Sequence, residues 1–275
     1  FYQCHDIEEA TFNKNLKNIG KYAFYEARSL KYIYLPESLE TIGGASFGEC
    51  ELLATIDFNA INCTSASTID SILYPFIGEN DIVTVNIGKK VTSLPEGIFY
   101  NSQYLTQVAI SKNITSLGGL AFGNCPALEI VYFDATECPN AHSTITHKIA
   151  GATLDSQLST LDSKYGPFEG CNNLTDASIS TKINVLPDYL FSGCAGLKKI
   201  ELPEKVTRIG DYAFRGCLSL KKVTIPETVE TIGAGAFMNS GLTAISIHEF
   251  LSEIGEGAFD GCKSLAKITL KKKNK

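Results

Sequence analysis

The sequence predicts a mainly β repeat solenoid, with a parallel sheet, short helical or 3-10 turns and a repeat of about 23 residues, and three recurring features carry that prediction. The first is a phenylalanine at Phe24, Phe47, Phe76, Phe99, Phe122, Phe168, Phe191, Phe214, Phe237 and Phe259, in steps of 23, 29, 23, 23, 46, 23, 23, 23 and 22 residues. The second is a small residue three places further on: Cys50, Cys125, Cys171, Cys194, Cys217 and Cys262, with Ala27, Ser102 and Ser240 in the same slot and Glu79 as a misfit. The third is the phrase Leu-x-x-Ile/Val-x-Ile/Leu/Phe just after that slot. A fixed period between roughly 20 and 50 residues marks an array of stacked units, each of which packs only on its neighbours.

Taken in order, the elements of one unit follow from local pattern. The phrase recurs at Leu30–Leu35, Leu53–Phe58, Ile82–Ile87, Leu105–Ile110, Leu128–Phe133, Leu174–Ile179, Leu197–Leu202, Leu220–Ile225, Leu242–Ile247 and Leu265–Leu270. Its last two apolar positions are two apart, which is the period of a strand with one buried face. Pro36, Gly88, Pro203 or Pro226 then ends the strand in a turn. A second short apolar piece follows, at Leu39–Ile42, Val91–Leu94, Ile114–Leu117, Ile183–Leu186 and Val206–Ile209, and stops at Gly43, Pro95, Gly118, Pro187 or Gly210. The closing Ala-Phe-x-x-Cys piece is too short for an independent helix and reads as a helical or 3-10 turn whose phenylalanine fills the core. One unit cannot bury its apolar side alone. Ten or eleven coils at a strand spacing of ~4.8 Å make a body roughly 50 Å long.

Residues 1–275 therefore read as a single array with insertions around 59–75 and 134–166. Phe58–Cys63 (FNAINC) and Phe133–Cys138 (FDATEC) begin alike, which suggests a longer super-repeat at two positions, the second carrying an insertion. Insertions in such arrays map to loops on one face, often the binding face. Ile145–Ser163 has apolar residues spaced for a short helix or a hairpin.

Composition narrows the class. A hydrophobic content of 44% with 20% charged residues fits a folded soluble protein. The net charge of −6 conceals Lys271, Lys272, Lys273 and Lys275 at the C-terminus, so the rest is more acidic still. That balance argues against a nucleic-acid partner, whose phosphates call for a basic face. The basic tail itself discourages edge-to-edge association of the last coil and offers contact with an anionic cell surface. No run of eighteen apolar residues predicts a membrane span, and Phe1–Ala10 lacks the basic start and apolar stretch of a secretory leader. A slot that accepts Cys, Ser and Ala asks for a small side chain, so its cysteines are expected to be buried, reduced packing residues.

Catalytic and metal chemistry find little support. Cys138, His142 and His147 lie close to Asp134 and Glu137, yet Cys-x3-His-x4-His matches no strong zinc spacing and reads as a polar loop. No nucleophile elbow, phosphate loop or dinucleotide fingerprint is present. The Ile-Gly pairs ending at Gly210 and Gly233 keep the period and serve turns, and the carboxylates are scattered with no pair set for acid–base work. No enzyme, cofactor or metal site is expected. Asn62-Cys-Thr, Asn113-Ile-Thr and Asn173-Leu-Thr are glycosylation sequons, relevant only in a secreting eukaryote.

The full phrase L-x-x-[IV]-x-[IL]-P-x-x-[VL]-x-x-I-G-x-x-A-F-x-x-C, complete at Leu197–Cys217, resembles the BspA-like leucine-rich repeat family, and the likeness runs from about Leu16 to Leu270. The resemblance implies a right-handed leucine-rich-repeat superhelix. It also implies an extracellular or cell-surface location, as on oral and gut bacteria and some parasitic protists, and a role in adhesion or protein binding. The chain departs from the common leucine-rich repeat with an Asn or Cys just past the strand, so that residue ladder is not carried over.

Along each first strand, the residues alternating with the buried ones point to the open side of the sheet. Most are small or polar; the exceptions are Tyr32, Tyr34, Ile130 and Tyr132. Exposed aromatics are enriched at protein interfaces, which makes these four the candidate binding residues. The alternative is that tyrosine suits strands and merely covers the open face. The expected function is adhesion to a host or extracellular-matrix protein through the sheet face; the alternative is a passive spacer with no ligand of its own.

Overall fold

The structure, a computed structural model, describes residues 1–66, 74–138 and 165–271. It is a β-solenoid with parallel sheets and a repeat of about 23 residues. The first strands of successive coils are Glu9–Ala10, Tyr32–Leu35, Thr55–Phe58 and Thr84–Ile87, then Gln107–Ile110, Ile130–Phe133, Asp176–Ile179 and Lys199–Ile200, then Ala244–His248 and Lys267–Lys271. All pair in parallel within these three sheets, with equivalent repeat positions side by side: Ile33 beside Ile56 and Ile56 beside Val85, Val131 beside Ala177. Side chains alternate as their period requires, exposed then buried through Tyr32–Leu35 and Gln107–Ile110. A second file of shorter strands runs alongside, including Asn18–Ile19, Thr41–Gly43 and Thr64–Ala66, which pair in sequence. Since Thr64–Ala66 comes on schedule, the six extra residues of the first interruption fall between Ala66 and Phe76. Ala60, Cys63, Ala135 and Cys138 are all buried, so the two FxAxxC segments play matching roles.

The phenylalanines form one continuous stack down the core. Successive rings lie 5.0–6.1 Å apart and within 25° of parallel, and Phe122 stacks on Phe168 across the long second interruption. Phe1 heads the stack, 5.0 Å from Phe24 and 23 residues before it. The period therefore extends one coil earlier than the pattern from Phe24 suggests.

The expected helical or 3-10 turn at Ala-Phe-x-x-Cys is not formed among the described residues. In its place the backbone makes linked turns in which alternate N–H groups point in different directions. Around Phe214, the N–H groups of Ala213, Arg215 and Cys217 donate three residues back, to Gly210, Tyr212 and Phe214. Those of Tyr212, Phe214 and Gly216 donate sideways to Ala234, Ala236 and Met238 of the next coil, at 2.7–2.8 Å. A 3-10 turn would send every N–H three residues back. What prevents it is a left-handed residue on each side of the phenylalanine, Tyr212 at φ 55° and Gly216 at φ 71°, which turns every second amide outward. The same pair recurs at Tyr189 and Gly193, and at Leu120 and Asn124.

The first-strand file has two breaks that the pattern does not anticipate: Thr84–Ile87 and Gln107–Ile110 are strands that do not pair with each other, and at a later coil the strand itself is missing. Residues Leu220–Ile225 form no strand, and none of Lys222–Ile225 shares a backbone hydrogen bond with either neighbouring coil. In other coils the residue after the strand donates its N–H to the strand end of the previous coil, as Gly88 does to Phe58 and Ser180 to Phe133. Here that residue is Pro203 and then Pro226, which have no N–H to give. At the other end, Lys198 and Lys199 stand opposite Lys221 and Lys222 at equivalent repeat positions, and like charges facing each other across a sheet are destabilising.

Packing explains the small-residue slot and the Ile-Gly pairs. The thiols of Cys50, Cys125, Cys171, Cys194, Cys217 and Cys262 each donate to the carbonyl of the previous coil's phenylalanine at 3.0–3.5 Å. The nine cysteines are free thiols, and of these six only Cys262 is not fully enclosed. Gly210 keeps ordinary φ, but a Cβ there would meet the backbone of Pro187 and Asp188. Its requirement is close approach of coils, and not a special turn.

Candidate functional site

The open face of the first-strand sheet is ordered by the register just described. Glu9, Tyr32, Thr55 and Thr84 form one row across it, and Tyr34, Asp57 and Asn86 form the next. Tyr32 and Tyr34 are 38% and 41% exposed, high for large rings within a sheet. They do not stand there as loose covers. The Tyr32 hydroxyl donates to Asp57 Oδ2 at 2.7 Å, and Asn86 Nδ2 donates to Asp57 Oδ1 at 2.7 Å. Three coils are thus tied through one carboxylate. The hydrogen bond to Asp57, followed by partial burial, pushes the Tyr32 phenol up to about 12, so it remains a protonated donor under ordinary conditions.

Ile130 and Tyr132 form a separate station. Ile130 is half-buried between Gln107 and Asp176, while Tyr132 lies between Ala109 and Ser178 and is 47% exposed. Its small neighbours leave the ring standing clear. Four coil steps separate Tyr34 from Tyr132, roughly 19 Å at normal strand spacing. The four candidate residues are therefore brought to one face, but as two stations with an interval of small or polar side chains, including Thr84, Asn86, Gln107 and Ala109, between them. Such a face offers amphipathic rings, one of them with a fixed hydroxyl, suited to contact with an extended partner.

Sequence inspection missed a second set of tyrosines. Tyr2, Tyr25 and Tyr100 follow a stack phenylalanine by one residue, and Tyr22, Tyr74, Tyr189 and Tyr212 precede one by two. They line the turn edge of the solenoid, where Tyr2 stacks on Tyr25 at 5.5 Å and Tyr189 on Tyr212 at 5.0 Å. Aligning the coils on phenylalanine would have found them. The same alignment finds Glu169, Ser192 and Arg215, each one residue after the ring. Buried Arg215 donates from Nη2 to both Glu169 oxygens at 3.3–3.4 Å and from Nε to Ser192 Oγ at 3.0 Å, with its guanidinium over the Tyr189 and Tyr212 rings. This is a staple across three coils.

Among the described residues, no group of three or more His, Cys, Asp and Glu side chains is placed to hold a metal ion. Cys138 is buried; His142, His147 and the segment Ile145–Ser163 lie outside the described residues. No helix among the described residues is long and apolar enough to cross a membrane.

A model of the BspA type leucine rich repeat region matches residues 1–129 and 163–275, in six copies. No curated protein sequence matches the chain at a significant level. Among solved structures, a leucine-rich repeat protein from Bacteroides ovatus is 20% identical, with 98% of this chain and 74% of that one covered and a TM-score of 0.57. A leucine rich cell surface protein from Faecalibacterium prausnitzii is 19% identical over 96% of this chain and 86% of that one, with a TM-score of 0.42. A leucine-rich repeat protein from Eubacterium ventriosum is 24% identical over 84% and 64%, with a TM-score of 0.49.

Proposed function

The chain belongs to the BspA-type leucine-rich repeat family, and from that premise we propose that it is a cell-surface or secreted adhesion module that binds a host or extracellular-matrix protein through the open face of its sheet. Residues 1–275 act as one right-handed array that holds this face extended. The observation that carries the reading is the exposure of Tyr32, Tyr34 and Tyr132 on a face whose other strand residues are mostly small or polar. Tyrosine is over-represented among residues that dominate binding energy, since it adds large contact area with few rotamers to fix. The Asp57 network supports the same reading, because a ring held before contact loses less freedom on binding.

The test is adherence of the purified chain to a decellularised matrix layer. Tyr32→Ser, Tyr34→Ser and Tyr132→Ser combined should lower adherence at least about tenfold, since one such anchor is worth about 1–2 kcal/mol or more. These side chains are exposed, so the variant should keep its thermal midpoint within a few degrees. Unchanged adherence with an intact fold would favour the passive spacer.

A further inference from the structure

The break in the sheet at Lys222–Ile225 coincides with a cluster of four lysines, Lys198, Lys199, Lys221 and Lys222, in a segment (182–270) with ten Lys and Arg against ten Asp and Glu, whereas residues 1–181 carry ten against twenty. Where the two lysine-bearing coils face each other, a trough of about 620 Å3 opens, lined by Lys198, Lys199, Lys221, Lys222, Glu201 and Thr224. It continues over the preceding coil past Asp176 and Ser178.

The polar groups in this trough are incompletely matched within the chain. All four lysines are exposed. Lys199 pairs with Glu201, and Lys221 Nζ donates to the Leu218 carbonyl at 3.1 Å. Lys198 and Lys222 have no carboxylate within ion-pair distance among the described residues. Beneath them, the amides and carbonyls of Lys222–Ile225 lack the ladder bonds that such groups make in almost every sheet. Like charges brought together beside unpaired backbone form a costly arrangement, and an anion in the trough relieves both defects.

We propose that this lysine-lined trough binds a sulfated polysaccharide chain. Sulfate oxygens accept from the lysines and from the free amides. The sugar hydroxyls donate to Asp176, Glu201 and the free carbonyls, which a ligand made only of acceptors leaves unmatched. The lining has no aromatic ring for a nucleic-acid base to stack on, a contact that single-strand binding sites use. Apolar anchors of the kind that peptides use are also few, since the apolar lining residues Ala177, Ile179, Ile200, Leu202 and Pro226 are all buried. A recess between coils admits a thin chain more readily than a flat membrane. The lysine-bearing coils lie six and seven coils from Tyr32 and Tyr34, while the far end of the trough, at Asp176 and Ser178, borders Ile130 and Tyr132; the proposal uses none of these four residues.

The test is binding of a fluorescent heparin dodecasaccharide to the whole chain across a salt series, with its desulfated counterpart, polyuridylate RNA, poly-glutamate and phosphatidylserine vesicles measured in parallel. The heparin oligosaccharide should bind, and its log affinity should fall with log salt with a slope of roughly −3 for four lysine contacts. Lys198→Gln, Lys199→Gln, Lys221→Gln and Lys222→Gln combined should weaken binding at least about thirtyfold and flatten that slope. Lys89→Gln with Lys90→Gln and Tyr32→Ser with Tyr34→Ser should each leave it within about threefold, as a charge change remote from the contact or a change of no charge, and so should Lys272→Gln with Lys273→Gln and Lys275→Gln, since the proposal assigns the contact to the four trough lysines. Equal binding of the desulfated chain, tighter binding of RNA, poly-glutamate or vesicles, loss through the tail variant, or a folded quadruple variant that binds normally would overturn the proposal.

Discussion

Six cysteines in equivalent slots differ from a disulfide framework because each thiol already has a partner, the carbonyl of the preceding phenylalanine. Burial pushes the Cys50 and Cys63 thiols up to about 12 and raises Cys171, Cys194 and Cys217 as well. Thiolate is the reactive form, so iodoacetamide at pH 8 should label exposed Cys4 rapidly and half-buried Cys262 slowly, and the other seven only after denaturation. Mass spectrometry counts the adducts, and rapid labelling of Cys194 or Cys217 in folded protein would contradict this environment. The sign of the pH effect follows: a folded value above the ordinary 9.0 stabilises the native state at neutral pH. That stabilisation falls as pH rises from about 9 toward 12, so the urea midpoint should drop over that window. Arg215 makes a different residue-scale prediction. Arg215→Ala strands the buried Glu169 carboxylate and should cost about 3–5 kcal/mol, whereas Arg215→Met combined with Glu169→Gln should cost much less.

At the scale of the element, stability resides in the stack and in the close approach of coils. Phe214→Ala removes a fully buried ring that stacks on Phe191 and Phe237 at 5.9 and 5.3 Å. The expected cost is about 3–5 kcal/mol, and because each coil contacts only its neighbours, calorimetry should show a split or broadened transition. Gly210→Ala should also destabilise, since the added carbon meets the backbone of the previous coil, which has nowhere to move. These elements differ in how legible they were. Strand positions such as Tyr32–Leu35 were readable because buried and exposed side chains alternate in the sequence itself. The turn was not, because its left-handed positions hold Tyr212, Tyr189 and Leu120 as well as glycine, and no residue type flags them. The break at Lys222–Ile225 was hidden for a related reason. Pro203 and Pro226 read as ordinary strand ends, and their missing N–H groups matter only once the coils are laid side by side. Tyr32, Tyr34 and Tyr132 were found by alternation alone; the bond from Tyr32 to Asp57 required the register.

The whole molecule divides its side chains between a continuous spine and two tyrosine surfaces, one on the open sheet and one along the turn edge. The spine runs unbroken from Phe1 to Phe259, so changes at the exposed or half-buried tyrosines of either row leave the array standing, whereas Tyr74 and Tyr189 of the turn edge are buried in it. The charge distribution is equally a property of the whole, acidic over residues 1–181 and balanced over residues 182–270; the lysine trough lies well beyond Tyr32 and Tyr34, and its end at Asp176 and Ser178 borders Tyr132. The central claim is that the open sheet face, and not the turn edge, meets the partner. It is tested by comparing adherence to decellularised matrix of two variants with equal numbers of tyrosines removed: Tyr32, Tyr34 and Tyr132 to serine, and Tyr2, Tyr22 and Tyr25 to serine. With both variants folded, the sheet-face variant should lose adherence and the edge variant should match the parent; loss confined to the edge variant would contradict the account.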